Sequence, residues 1–343
     1  MDTASCSFAE SFLDLSISGR GPQEVWARSY TSAMAADDGP LGFGWHTGYG
    51  AHLVIDAATG DVVVSQENGA EVAFTNTPTG FTVPPRMQAE LYTNEDGSYT
   101  FVRQSSEALT FTATGTLTSI ADRNGETTTL TYVGGKLATV TEPGGRALTV
   151  TYTGSHITKV TDPLGRAVSY SFDGSGDLAT VTGPDGAVTS FGYDADHHIT
   201  SVLDPAQQSA PIKHPMTMIY DPQGRVTSQT DPLGRGTTFA YTGDPFSEAG
   251  GNTLTTDPAG HQQSDSYRFG VRTVSVTGFG TTAAVTSVFT FDPFTLGVTS
   301  MSVTAADDPI THVSTATYNA HGLPTTQVDA LGREIDTTYN YYG

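Results

Sequence analysis

The chain is poor in cations, almost without cysteine, and has no long apolar run. Of 343 residues, 15 are Lys or Arg against 36 Asp or Glu, a formal net charge of −21. Nucleic-acid binding needs a basic face that releases counterions from phosphates, so no nucleic-acid partner is expected. Cys6 is the single cysteine, so no intramolecular disulfide can form, and a large β-repeat chain needs none. No stretch approaches the about eighteen apolar residues of a membrane-spanning helix, so no membrane span is expected. The first residues, Met1-Asp2-Thr3-Ala4-Ser5, lack the basic and apolar regions of a signal peptide. Export would need another route or a leader outside this sequence.

Catalytic signatures are missing as well. There is no Gly-x-Ser-x-Gly elbow, His-Glu-x-x-His helix, P-loop or dinucleotide fingerprint. Cys6 has no partner motif and lies near a terminus. No catalytic residue, metal ligand or cofactor-binding residue is assigned, and the chain reads as a non-enzyme without a cofactor.

Glycine (38 residues) and proline (18) are plentiful, with 37% hydrophobic residues and no Gly-X-Y period. Many turns between many short strands account for this composition. The dominant feature is a repeat: a Thr-rich apolar strand, Asp-Pro-x-Gly or a variant, then a strand ending in Tyr or Phe. It is cleanest at Leu137–Thr141, Glu142–Gly145, Ala147–Tyr152, and then Ile157–Thr161, Asp162–Gly165, Ala167–Phe172. Glu142, Asp162, Gly183 and Asp204 step by about twenty residues, as do Tyr132, Tyr152, Phe172 and Tyr193. A fixed period of that size marks a repeat architecture, which builds a surface or a container more readily than one pocket.

Three regions follow. Residues 1–50 are a lead-in with strands at Phe12–Ile17 and Val25–Tyr30, a turn at Gly19-Arg20-Gly21-Pro22, and a glycine-laced loop Gly39–Trp45. Residues 51–116 read as a β-meander with strands near 52–55, 62–65, 72–75, 81–83, 98–102 and 109–112. Residues 117–343 are repeats, with an insertion at 205–219, a loop at Gly243–Asn252 and degenerate copies over 254–316. Strong copies run through Tyr220-Asp221-Pro222-Gln223-Gly224-Arg225, Asp231-Pro232-Leu233-Gly234-Arg235, and Asp329-Ala330-Leu331-Gly332-Arg333, and the chain stops at Tyr341-Tyr342-Gly343. No helical period appears, so the fold class is all-β, stacked antiparallel hairpins with very little helix.

The turn residues have physical reasons. Asp162 can accept from the amides of its own turn, Pro163 presets φ, and Gly165 tolerates the conformation in which the chain leaves. Arg166 is expected to lay its stem on the sheet with its head in water. Val168, Tyr170 and Phe172 share one strand face, as do Leu148, Val150 and Tyr152. The hairpins therefore stack an aliphatic and aromatic ladder on one side, with Thr and Ser on the other. A lone hairpin is marginal in water, so each copy needs its neighbours.

Tyr220-Asp221-x-x-Gly224-Arg225, then Thr230-Asp231-Pro232-x-Gly234-Arg235 and Tyr241, resembles the YD repeat of RHS proteins. The lead-in resembles their N-terminal region through Asp14-Leu15-Ser16-Ile17-x-Gly19-x-Gly21-Pro22, Arg28-Ser29-Tyr30-Thr31-Ser32, Gly39-Pro40-Leu41-Gly42-Phe43-Gly44-Trp45 and Tyr49. The resemblance implies a spiral of β-hairpins that forms part of a hollow shell, related to insecticidal-toxin subunits and teneurins. In bacterial polymorphic toxins such a shell encloses a C-terminal effector, so the implied partners are the rest of the shell and an effector, in cis or as a separate chain. The implied location is secreted or cell-surface. No junction motif or effector follows here, and the reading is a fragment or truncated product with one long sheet edge unpaired.

Other sites have competing readings. His197-His198 with Asp194 and Asp196 could ligate a metal, but the position reads as a solvated hairpin turn. His46 and His52 read as structural. Asp194-x-Asp196 and Asp307-Asp308 are only pieces of a calcium loop. The 15 Tyr, 16 Phe and 2 Trp could form a sugar platform, and glycan binding is a possibility the resemblance adds. Their regular placement at strand ends favours a core ladder.

Overall fold

The computed structural model describes residues 3–17, 24–83, 87–308, 310–319 and 322–339. The turn at Gly19–Pro22, the Ala320-His321 pair and the end at Tyr341–Gly343 lie outside the described residues. Among the described residues, helix is confined to a 3-10 turn at Ser32–Met34 and a single α-turn at Pro205–Gln208. Twenty-three strands, from Ala89–Thr93 to Glu334–Asp336, form one antiparallel sheet in strict sequence order. Ala9–Ile17, Glu24–Thr31 and Trp45–Thr47 make a separate three-stranded sheet, and four strands from His52–Ile55 to Gly80–Thr82 make another.

The region read as one meander thus pairs as two sheets. The long ladder begins at Ala89–Thr93, well before residue 117, through a strand that Glu90 and Thr93 disguised. The insertion ends earlier than its composition suggested, because Met216–Tyr220 is already a strand. The loop after Tyr241 is shorter too, with Thr242 opposite Asn252 and Gly243 opposite Gly251. Copies that looked degenerate over 254–316 keep the ladder unbroken, because strand pairing uses backbone groups that side-chain drift leaves intact.

By internal packing the chain divides into two units. One comprises Phe8–Pro84 and Ala89–Thr217, the other Met218–Gly343 with Met1–Ser7 and Pro85–Gln88. In the first, Leu148, Val150, Val160, Val168, Tyr170 and Val181 are buried in one layer, while Thr149, Thr151 and Ser169 between them are exposed. This is the period-two alternation the strands displayed.

Each strong turn is a closed hydrogen-bonded fork. Asp162 Oδ1 accepts from the amides of Leu164 (2.9 Å) and Arg166 (2.8 Å), and its Oδ2 accepts from Arg166 Nε at 2.6 Å. Pro163 fills the next place, and Gly165, at φ 80°, donates its amide to the Asp162 carbonyl at 3.0 Å. The same pattern recurs at Asp221 with Arg225, Asp231 with Arg235 and Asp329 with Arg333. Pro232 occupies the second place in its turn, and Gly224, Gly234 and Gly332 occupy the positive-φ place in theirs. Tyr220 ends the strand that feeds the Asp221 turn. The arginine side chain stays exposed, as the sequence suggested, by 64% at Arg235 and 76% at Arg333, but its head is also bonded to the turn aspartate. It folds back as the side-chain half of the fork, because a planar guanidinium matches a carboxylate edge.

The repeat tyrosine has a partner as well. The hydroxyls of Tyr193, Tyr241 and Tyr339 donate to the carbonyls of Leu178, Val226 and Pro324, each fifteen residues upstream. A phenylalanine there would leave a strand-end carbonyl unpaired.

The forks set the response to acid. The Arg146 guanidinium holds Glu142 down to about 2, against an ordinary 4.5. Burial alone would raise Asp162 and Asp221, but their arginine and amide donors outweigh it and leave both lowered. Arg235 beside Asp231 and the Arg333 amide at Asp329 lower those carboxyls too. A lowered folded pKa adds stability above the unfolded value and loses it as pH falls through the folded one. Asp177 and Glu10, both raised by burial, act in the opposite direction but are outnumbered. Burial holds His46 below its ordinary 6.5, so the urea midpoint is expected to ease down as pH falls below about 6.5 and to fall steadily from about 4.5 toward 2. A midpoint that holds or rises over that window would remove the forks from the stability account.

Candidate functional site

The most elaborate constellation lies within the first unit, where the three-stranded sheet packs on repeat strands. Trp26, Arg28 and Tyr30 alternate on the buried face of Glu24–Thr31, exposed by 0, 2 and 1%. A β-bulge between Leu13 and Leu15 changes the parity of the first strand. Leu13 is thrown outward, 62% exposed, while Asp14 is aimed at Arg28. The alternation read from Phe12–Ile17 did not reveal this shift.

Arg28 Nε donates to Asp14 Oδ2 at 2.8 Å, a pair with only 1% and 7% of the side chains exposed. The guanidinium lies 4.2 Å from the Phe12 ring centre, 4.5 Å from that of Trp45 and 5.3 Å from that of Phe191. Tyr170, on a repeat strand, donates to the same Asp14 oxygen at 2.7 Å and accepts from Trp26 Nε1 at 2.9 Å. Trp45 Nε1 donates to Tyr193 at 2.9 Å. Burial, reinforced by the Asp14 charge, pushes the Tyr170 hydroxyl well above its usual range, so it remains a neutral donor. Burial likewise raises Tyr30 and Tyr193.

A second contact is made by the glycine-laced loop. Leu41 is fully buried, and the Pro40 carbonyl accepts the Ile157 amide at 2.7 Å. Gly42, at φ 85°, sits so close to the hairpin 167–182 that a Cβ would lie 2.6 Å from the Gly176 carbonyl oxygen. Phe43 stacks on His197 with ring centres 3.7 Å apart and planes 9° apart. His197 Nδ1 lies 3.0 Å from both oxygens of buried Asp177, and the His197 carbonyl accepts from Tyr30. His197, read from the sequence as part of a solvated turn, is instead a keystone of this contact.

Its neighbours explain the apparent metal cluster. Ligand atoms of Asp194, Asp196 and His198 lie within 4.8 Å of one another. Yet Asp194 Oδ1 already accepts the amides of Asp196 and His198, and its Oδ2 pairs with His198 Nδ1 at 3.0 Å. This is the repeat fork with histidine in the arginine place, as at Asp257 and His261. Asp308 caps its own turn through the Ile310 amide, and His52 Nδ1 lies 3.2 Å from the Gly50 carbonyl.

The turns at Asp162, Asp221, Asp231 and Asp329 thus each complete a local fork within five residues. Sequence reading missed Asp14, Arg28, Tyr170 and Tyr193 as one assembly. The available signal was Arg28 at an apolar-face position between Trp26 and Tyr30. Chemically, the assembly holds two layers together with most of its donors and acceptors engaged internally.

Comparison with known proteins bears on both layers. The model of a domain of unknown function, DUF6531, matches residues 2–74. The RHS Repeat model matches residues 152–187, 172–209 and 220–262. No curated protein matches. Among solved structures, the Photorhabdus luminescens Tc holotoxin pore with a TccC3 mutation is similar at 14% identity and TM-score 0.48, over 80% of this chain and 15% of that one. A TcdB2–TccC3 crystal structure is similar at 14% identity and TM-score 0.45, over 89% and 17%. The chain spans about a sixth of the length of those two.

Proposed function

Taking as premise that this chain is an RHS-repeat protein, we propose that it is a non-enzymatic structural module, a length of β-wall that helps enclose a toxin effector in the complete protein. The supporting observation is the sheet order. Among the described residues, twenty-three strands pair only with sequence neighbours, and the carboxylates of the strong turns accept from donors of their own turns. Such a ladder grows by repetition and needs no central pocket. On this reading the aromatic and Arg28–Asp14 assembly fastens the lead-in to the first repeats. The partners are the remaining wall and an effector, in cis or as a separate chain, and the site of action is secreted or cell-surface.

The test is protease protection in the native gene product purified from its source. A segment outside the repeats should survive digestion while the repeats are intact, and become sensitive once urea opens them. Digestion of that segment at the rate of a free peptide would refute enclosure. Adhesion to glycans is the competing reading, and it predicts glycan-array binding that is lost when exposed aromatics are replaced.

A further inference from the structure

We propose that residues 3–7 form a releasable strap over a polar row of the repeat sheet, and that its opening controls access to the buried Asp265 carboxylate. The inference concerns the second unit alone and stands or falls independently of enclosure.

The row is set by strand register. Thr253 lies opposite Asp265, and Asp265 opposite Ser275. In the first unit the covered face of the ladder carries Leu148, Val150, Val160 and Val168. Here a hydroxyl, a carboxylate and a hydroxyl are buried instead, exposed by 0, 2 and 9%. The strap meets this row at Thr253 and beside it at Tyr267. Thr253 Oγ1 donates to the Thr3 carbonyl at 2.8 Å, and Thr3 Oγ1 shares a hydrogen with the Tyr267 hydroxyl at 2.6 Å. The Val226 amide donates to the Cys6 carbonyl at 3.0 Å. Cys6 is buried beside this contact, 3% exposed.

Three features favour opening. The row beneath is polar, so hydrating it incurs none of the penalty that exposing a Leu or Val row would carry. Cys6 sits at φ 59°, a left-handed conformation unfavourable for a residue with a Cβ, and release relieves it. Asp265 Oδ1 is buried with no hydrogen-bonding partner among the described residues, and Arg272 Nη1 stands 3.8 Å away. Gln263 Nε2 reaches only the other oxygen, at 2.9 Å. Water admitted by an open strap would satisfy that oxygen. The lead-in of the first unit has the opposite character, being fastened by fully buried Trp26, Tyr30 and Trp45.

Cys6 is the only thiol, so labelling of the native protein by a chromogenic disulfide reads strap opening directly. Without denaturant, labelling should go to completion with unchanged β-sheet circular dichroism. Its rate should be nearly independent of low urea, the mark of local opening. Tyr267→Phe and Thr253→Val each delete a strap hydrogen bond and should speed labelling about fivefold. Asp265→Leu removes the unsatisfied carboxylate and should slow it. Labelling that follows the urea dependence of global unfolding would overturn the strap, and that result needs no variant to fold. Unchanged rates in both hydrogen-bond variants would overturn it too. An unchanged or faster rate in Asp265→Leu would remove Asp265 from the mechanism.

Discussion

Replacing Asp14 with alanine should destabilise the first unit by about 3–5 kcal/mol, the cost of stranding one member of a buried ion pair. Asp14 Oδ2 is the common acceptor for Arg28 Nε and Tyr170. Without it, a guanidinium 1% exposed faces three aromatic rings and no bonded anion, and Arg28 Nη1 is already buried without a hydrogen-bonding partner among the described residues. Both tryptophans of the chain, Trp26 and Trp45, border this assembly, so the fluorescence midpoint in urea reports this unit. The double replacement Asp14→Leu with Arg28→Met should recover most of the loss, since an apolar pair of similar volume often replaces a buried ion pair at little cost. A loss below about 1 kcal/mol in the single variant would show the pair to be no better than a surface salt bridge.

The second large effect is at Gly42. Alanine there adds a Cβ at φ 85°, which costs about 1–2 kcal/mol by itself. That Cβ would also meet the Gly176 carbonyl oxygen at 2.6 Å and the Leu178 amide nitrogen at 3.4 Å. Both are backbone atoms and cannot swing aside. The loop must lift, and with it the Phe43–His197 stack and the Pro40–Ile157 hydrogen bond. The expected loss is about 3 kcal/mol or more, combining the φ penalty with lost packing. Gly186→Ala is the matched control, at φ 81° with nothing within 4 Å of the added carbon, and should show the φ penalty alone. Equal losses at the two positions would mean that the close approach of the loop to the hairpin contributes nothing.

These two sites differ in how far the sequence foretold them. Gly39–Trp45 stood out as a glycine-laced loop, because glycine at such density signals unusual φ or close approach. What it approached was not readable. Asp14 was hidden by a bulge, since one extra residue reverses which side chains face inward and no composition signal marks it. The turn forks were half legible. Asp-Pro-x-Gly announced the turn, but no local signal announced that the solvated arginine also bonds the aspartate through Nε. His197 and His198 looked alike as neighbours in one turn. His198 completes the fork, while His197 leaves it to pair with Asp177 and stack on Phe43.

The amino-acid order by itself determined the all-β class, the hairpin cadence, the turn positions and the buried side of each strong strand. Those properties are encoded within one repeat, through i to i+4 turn bonds and period-two alternation. Only the tertiary structure decided that Trp26 meets Tyr170 and Trp45 meets Tyr193, residues 144 and 148 positions apart. It also decided that a strap at the start of the chain covers Thr253 and Tyr267. Repeats of one pattern offer many similar docking places, and which one is taken depends on the packing of whole layers, a sum over distant contacts that no local motif carries.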